Sequence, residues 1–132
     1  MSDPRPMPVL RDGRQRRISY LRLSITDRCD LRCRYCMPAA GERWLTPDQR
    51  LTDAELLAVA RVATELGIRK IRVTGGEPLL HPRVAELLEQ LRALPGLERL
   101  VLTTNGLRLD ALAGRLRAAG IEGGNVSLDS LQ

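Results

Sequence analysis

Three cysteines fall in one short window, Cys29, Cys33 and Cys36, with three and then two residues between the thiols, and the 132-residue chain holds no others. An odd number of thiols crowded into one loop is the wrong arrangement for a disulfide framework and points to metal. An iron–sulfur cubane usually takes four thiolates, one per iron. Three thiolates leave one iron without a protein ligand, and an open iron can chelate a small molecule. Structural zinc would need a fourth nitrogen or sulfur donor, which the only histidine, His81, could supply. That reading is weaker, because His81 precedes Pro82 at an expected helix start, where a polar cap residue needs no metal. Three free buried cysteines are weaker still, since Asp30, Arg32, Arg34 and Tyr35 lie among them. A second string, Gly75-Gly76-Glu77-Pro78, joins a carboxylate to two residues that admit close backbone approach.

The elements that must carry these residues alternate between strand and helix. Tyr20–Thr26 reads as a strand that delivers the cysteine loop at its C-terminal end. Thr52 opens a helix with Glu55 three residues on, a capping box. Leu56, Ala60, Ala63 and Leu66 then share a face until Gly67 stops the helix. Lys70–Thr74 is a second strand and runs into the Gly-Gly-Glu-Pro turn. Val84, Leu87, Leu88, Leu91 and Leu94 recur at helical spacing before Pro95-Gly96. Arg99–Thr103 is a third strand, Leu109, Leu112, Leu116 and Ala119 mark a third helix, and Asn125–Leu128 starts a fourth strand.

Strands alternating with helices predict parallel pairing. The fold class is α/β, the N-terminal part of a partial (β/α) TIM-like barrel with about three and a half βα units, where a closed barrel takes ~250 residues. Residues 1–17 read as a lead-in, disordered over the Pro-rich Met1–Pro8, and 18–132 as a truncated core domain. Chemistry in such barrels gathers at the C-terminal strand ends, where both the cysteine loop and the Gly-Gly-Glu-Pro turn fall.

Alternation within the strands separates two faces. Arg22, Ser24, Arg72, Thr74, Val101, Thr103, Asn125 and Ser127 share one parity. Leu21, Leu23, Ile25, Ile71, Val73, Leu100, Leu102, Val126 and Leu128 share the other and should meet the helices. The first set then lines the barrel lumen. Arginine inside a barrel is costly unless something anionic meets it, although an open, solvated face would tolerate the same residues.

Composition narrows the partners. A 43% hydrophobic content supports a core, which must rest on aliphatic residues because aromatics make up only 2%. The net charge of +5 could suggest nucleic acid, but no basic run is interleaved with aromatics that would stack on bases. No apolar stretch is long enough to span a bilayer and no signal-peptide core is present, so neither nucleic acid nor membrane is expected, and a cytoplasmic location is.

The CxxxCxxC spacing, with Tyr35 directly before the third cysteine, resembles the signature of the radical S-adenosylmethionine (SAM) superfamily. The Gly75–Pro78 string is similar to that superfamily's motif for the SAM amino group. LRLSITDRCDLRCRYCMP, ELGIRKIRVTGGEPLL, LTTNG and NVSLDSL resemble, in order and spacing, the GTP 3',8-cyclase family of molybdenum cofactor (molybdopterin) biosynthesis, from about Leu10 to Leu131.

That resemblance implies a [4Fe-4S] cluster and SAM as cofactors. Cys29, Cys33 and Cys36 would bind three irons and SAM the fourth, and reduction would split a carbon–sulfur bond to give methionine and a 5'-deoxyadenosyl radical. The resemblance makes Tyr35, Gly75, Gly76, Glu77, Ser127 and, more weakly, Asn105 contacts to SAM, with Glu77 accepting from its ammonium. It makes Arg22, Arg72 and Thr103 contacts to GTP, and guanidinium forks suit phosphate oxygens and purine edges. The implied lyase reaction converts GTP to (8S)-3',8-cyclo-7,8-dihydroguanosine 5'-triphosphate, with no catalytic residue assigned. A flavodoxin- or ferredoxin-type electron donor is the implied partner, and full-length members of the family suggest a homodimer.

Gly123-Gly124 stands where the family has a basic–apolar pair, and glycines weaken a strand. His81-Pro82 replaces the family's usual basic residues. The strands and second-cluster cysteines that the family carries later in its sequence do not occur before Gln132, so the chain alone is expected to be incomplete for catalysis. Another radical SAM enzyme, such as a peptide maturase, is an alternative that the paired Arg22 and Arg72 argue against. An inactive metal-binding remnant is a further one.

Overall fold

A computed structural model describes residues 9–30 and 44–127. Four strands, β1 (Tyr20–Ser24), β2 (Lys70–Thr74), β3 (Arg99–Thr104) and β4 (Gly123–Val126), form one parallel sheet in sequential order. Among the described residues, three α-helices connect them in turn: α1 (Asp53–Glu65), α2 (Val84–Arg92) and α3 (Leu109–Ala118). Each parallel pair is joined through a long connection, as parallel pairing requires. The arrangement is that of a partial βα barrel.

Local signals account for the helix ends. Thr52 is extended, its Oγ1 accepts the Glu55 N–H at 3.2 Å, and the Glu55 carboxylate accepts the Thr52 N–H at 2.7 Å. Gly67 follows at φ 104°, a left-handed value that favours glycine. The buried line of α1 is Leu56, Ala60 and Thr64, not the expected line ending at Leu66, which is exposed. Leu66 is the cap residue beyond the last turn, and Thr64 is accommodated because its hydroxyl donates to the Arg61 carbonyl.

Ile71, Val73, Leu100 and Leu102 form the sheet side of the core, and Leu56, Ala60, Leu87, Leu88, Leu91 and Leu116 the helix side. The polar parity lies on the opposite face. Val101 belongs to that parity and is buried, yet it stands outside the core cluster. The register aligns Arg22 with Arg72, Arg72 with Val101, and Thr103 with Asn125.

Three strand boundaries differ from expectation, β3 by running one residue further, to Thr104. β1 ends at Ser24, two residues before Thr26, and β4 begins at Gly123, two residues before Asn125. The glycine pair therefore lies inside a strand. A Cβ on Gly124 would come within 2.7 Å of the Leu102 carbonyl oxygen, so the close approach of β4 to β3 is what glycine permits there. All of β4 is exposed, including Val126, whose parity is nonetheless that of the apolar face. Leu128 and the Met1–Pro8 lead-in lie outside the described residues. Residues 9–18 fold back through an Arg11–Arg17 bridge, with Asp12 accepting the backbone N–H groups of Arg14 and Arg16.

Candidate cofactor and substrate site

Three loops leave the C-terminal ends of β1, β2 and β3 side by side. The loop after β1 carries Cys29, which is partly exposed and unbonded to another sulfur. Its base is pinched: Asp27 Oδ2 accepts the Leu45 N–H at 2.6 Å, and the Arg28 guanidinium lies 5.7 Å from the Trp44 ring centre. Cys33, Cys36 and Tyr35, between those ends, lie outside the described residues.

The Gly-Gly-Glu-Pro turn after β2 packs directly on that base. Gly76 N–H donates to the Thr26 carbonyl at 2.8 Å and Glu77 N–H to the Arg28 carbonyl at 2.6 Å. A Cβ on Gly75 would lie 2.5 Å from Thr26 O, and one on Gly76 would collide with the Arg28 carbonyl and sit 2.7 Å from Asp27 O. These glycines thus allow two stretches of this chain's own backbone to meet.

Glu77 is 1% exposed. Its Oε1 accepts the Leu79 N–H at 3.1 Å and the Thr104 hydroxyl at 2.7 Å, and its Oε2 accepts the Asn105 N–H at 2.7 Å. A buried carboxylate is tolerated when such donors meet it. Asn105, in the loop after β3, also donates from Nδ2 to Asp30 Oδ1 at 2.7 Å. Ser127 is exposed just past β4, and its N–H donates to the Thr104 carbonyl at 2.9 Å.

On the polar face of the sheet, Arg72 is held from both neighbouring strands. Its Nε donates to the Tyr20 hydroxyl at 2.7 Å and its Nη1 to Thr103 Oγ1 at 3.1 Å. Arg22 lies beside Arg72 in register, is exposed, and its side chain makes no hydrogen bond or ion pair among the described residues. Being exposed, Arg22 carries little of the desolvation cost that would by itself demand an anion. Tyr20 and Lys70 are additions to the site. The Lys70 ammonium lies 5.2 Å from the Tyr20 ring centre. Both residues share the parity of Arg22 and Arg72, so strand alternation carried the signal that would have found them.

His81 is not available as a zinc ligand. Its Nδ1 accepts the Arg83 N–H at 3.1 Å, which places the ring proton on Nε2, and Nε2 donates to Asp53 Oδ1 at 2.8 Å. Arg83 also reaches Asp53 Oδ2, at 2.9 Å. The triad ties the start of α1 to the start of α2.

The sequence profile described as the Radical SAM superfamily matches residues 23–132. The chain belongs to the radical SAM superfamily. Membership implies a [4Fe-4S] cluster and SAM, and the site tests that on its own geometry. Cys29 is a free thiol on a loop whose ends are pinned, and the glycine turn lies against it, so the residues present suit a radical SAM cofactor site. Among similar proteins, the chain is 52% identical over 121 residues to a GTP 3',8-cyclase of Geobacter sulfurreducens, covering 92% of this chain and 37% of that protein. It is 55% identical over 124 residues to a GTP 3',8-cyclase of Pseudomonas fluorescens, covering 93% and 37%. A GTP 3',8-cyclase of Moorella thermoacetica is 51% identical over 123 residues, covering 93% and 38%. The chain therefore spans less than two fifths of the length of these radical SAM relatives. No helix among the described residues is long and apolar enough to cross a membrane.

Proposed function

We propose that this chain supplies the SAM-cleaving loops and part of the nucleotide site of a GTP 3',8-cyclase. The observation that carries the reading is the cross-strand Arg22–Arg72 pair, with Thr103 beside it, on the face that ends at the cysteine loop. Cys29, with Cys33 and Cys36, would hold the cluster, and the cluster with SAM would supply the radical that starts the reaction. Tyr35, Gly75, Gly76, Glu77 and Ser127 would border SAM. Arg22, free of protein partners among the described residues, and Arg72, preset by Tyr20 and Thr103, would receive the anionic nucleotide. A fork fixed by two neutral oxygens keeps its full charge for a phosphate. The reductant would be a small flavodoxin- or ferredoxin-type protein, and the setting cytoplasmic.

The test is anaerobic reconstitution of the chain, followed by iron and zinc analysis, SAM cleavage and GTP binding. Iron with a cluster signal that responds to SAM is expected, and GTP binding should weaken by roughly tenfold or more in Arg22→Ala and Arg72→Ala, one or two charge-assisted bonds each. Stoichiometric zinc without a cluster would refute the reading. GTP binding that survives both substitutions would turn it toward a radical SAM enzyme of another substrate class.

A further inference from the structure

Cys29 is bracketed by contacts that come from the neighbouring loops. On one side Glu77 N–H donates to the carbonyl of Arg28 at 2.6 Å. On the other, Asn105 Nδ2 donates to Asp30 Oδ1 at 2.7 Å, and Arg108 Nε stands 3.6 Å from Asp30 Oδ2. The two brackets are joined, because the Asn105 N–H donates to Glu77 Oε2 at 2.7 Å. The contacts thus close a ring from Arg28 through Glu77 and Asn105 to Asp30, with Cys29 as the link that completes it.

Asn105 is fixed in this ring. Its Oδ1 accepts the Leu107 N–H at 3.1 Å, so its amide is engaged at both ends by protein atoms, and its orientation follows because Asp30 can only accept. Glu77, which holds its backbone, is buried and triply bonded. An amide so occupied has little left to offer a ligand.

We infer that Asn105 is a positioning residue for the first cluster thiolate, acting through Asp30, and not itself a contact to SAM. The inference rests on the reading that Cys29 binds iron. Groups that hydrogen-bond a metal ligand directly are commonly worth roughly 10–100-fold in metal affinity, and a tie one residue removed belongs at the low end of that range.

The experiment compares the reconstituted chain with Asn105→Ala, Asp30→Ala, Asp30→Asn and Arg108→Ala. Three readouts are taken: iron loss to a chelator, the electron paramagnetic resonance spectrum of the reduced cluster with and without SAM, and the melting temperature. Asn105→Ala and Asp30→Ala should lose iron roughly 10 times faster and give altered spectra. Asp30→Asn keeps an acceptor oxygen for Nδ2, and Arg108→Ala leaves the Asn105 bond intact, so both should match the parent in spectrum and retention. A merely structural role would lower the melting temperature of Asn105→Ala and Asp30→Ala while leaving iron retention and spectra as in the parent. Parent-like retention and spectra in Asn105→Ala, or Asp30→Asn as leaky as Asp30→Ala, would overturn the inference. Should Asn105→Ala fail to fold, the two Asp30 variants, at an exposed position, decide the matter. A parent chain that takes up no cluster overturns both this inference and the proposed function, whereas an intact parent cluster with indifferent variants overturns this one alone.

Discussion

Replacing Glu77 separates a carboxylate that holds the fold from one that waits for a ligand. The side chain is 1% exposed and receives donors from Leu79, Thr104 and Asn105 at 3.1, 2.7 and 2.7 Å. In Glu77→Gln the remaining carbonyl oxygen can stay with Leu79 and Thr104, but the new amide group then faces the Asn105 N–H, donor against donor. One charge-assisted bond is lost and a buried N–H is orphaned, so destabilisation of about 1.5–3 kcal/mol is expected. Glu77→Ala removes all three acceptor contacts and leaves a void, and should cost roughly 3–5 kcal/mol, most of the stability of a small domain. Urea unfolding followed by far-ultraviolet circular dichroism reads both values from the shift in midpoint. If Glu77→Gln unfolds within about 0.5 kcal/mol of the parent while SAM binding collapses, the carboxylate belongs to the ligand and the argument from its three donors is refuted.

Gly76→Ala drives a methyl group into the backbone of Asp27 and Arg28, which cannot move as a side-chain tip would, and should destabilise by about 1–3 kcal/mol. Gly114→Ala, within α3 and with nothing near its Cβ, should instead stabilise by roughly 0.5–1 kcal/mol, and urea titration of the pair checks the contrast. The Glu55 carboxyl is held below its ordinary value of 4.5, first by the Thr52 N–H and then by the Thr52 hydroxyl. A lowered folded-state value means its contribution is complete above the unfolded value and disappears as pH falls through the folded one, so the urea midpoint should drop below about pH 4.5 and that part of the slope should vanish in Glu55→Gln. Tyr20→Phe removes the hydroxyl that accepts from Arg72 Nε and should weaken GTP binding about fivefold by calorimetry, an effect of one hydrogen bond, while leaving cluster assembly unchanged.

Period and parity made the sheet legible. The expected strand Lys70–Thr74 coincides with β2, and the opposition of Ile71 and Val73 to Arg72 and Thr74 holds in the sheet because a two-residue period survives whatever the neighbours do. Boundaries were less legible where a single contact decides them. β4 starts at Gly123 because a strand without Cβ atoms can approach Leu102 closely, a tertiary fact that propensity reads as a weakness. The links within the site left no local trace. Asn105 and Asp30 are 75 residues apart and Asp27 and Leu45 are 18, with no periodicity to connect them. Cys29 and Glu77 were legible as chemistry, but the donors around Glu77 could be known only once β2 and β3 were neighbours.

Strand order explains why one residue can tie these loops together. In a sheet ordered β1, β2, β3, β4, the loop after β2 has the cysteine loop on one flank and the Asn105 loop on the other. Glu77 uses both flanks at once: its backbone N–H donates toward β1's loop and its carboxylate accepts from β3's. A glutamate is suited to this, since it offers two acceptor oxygens at the end of a chain long enough to reach past its own turn. Asn105 completes the tie from the loop after β3, donating its N–H to Glu77 Oε2 and its Nδ2 to Asp30 Oδ1. Ser127, beyond β4, reaches the network among the described residues through its N–H on the Thr104 carbonyl alone. Coupling to Cys29 should therefore be strongest at Glu77, pass through Asn105, and be weak at Ser127, an order set by topology before any ligand binds.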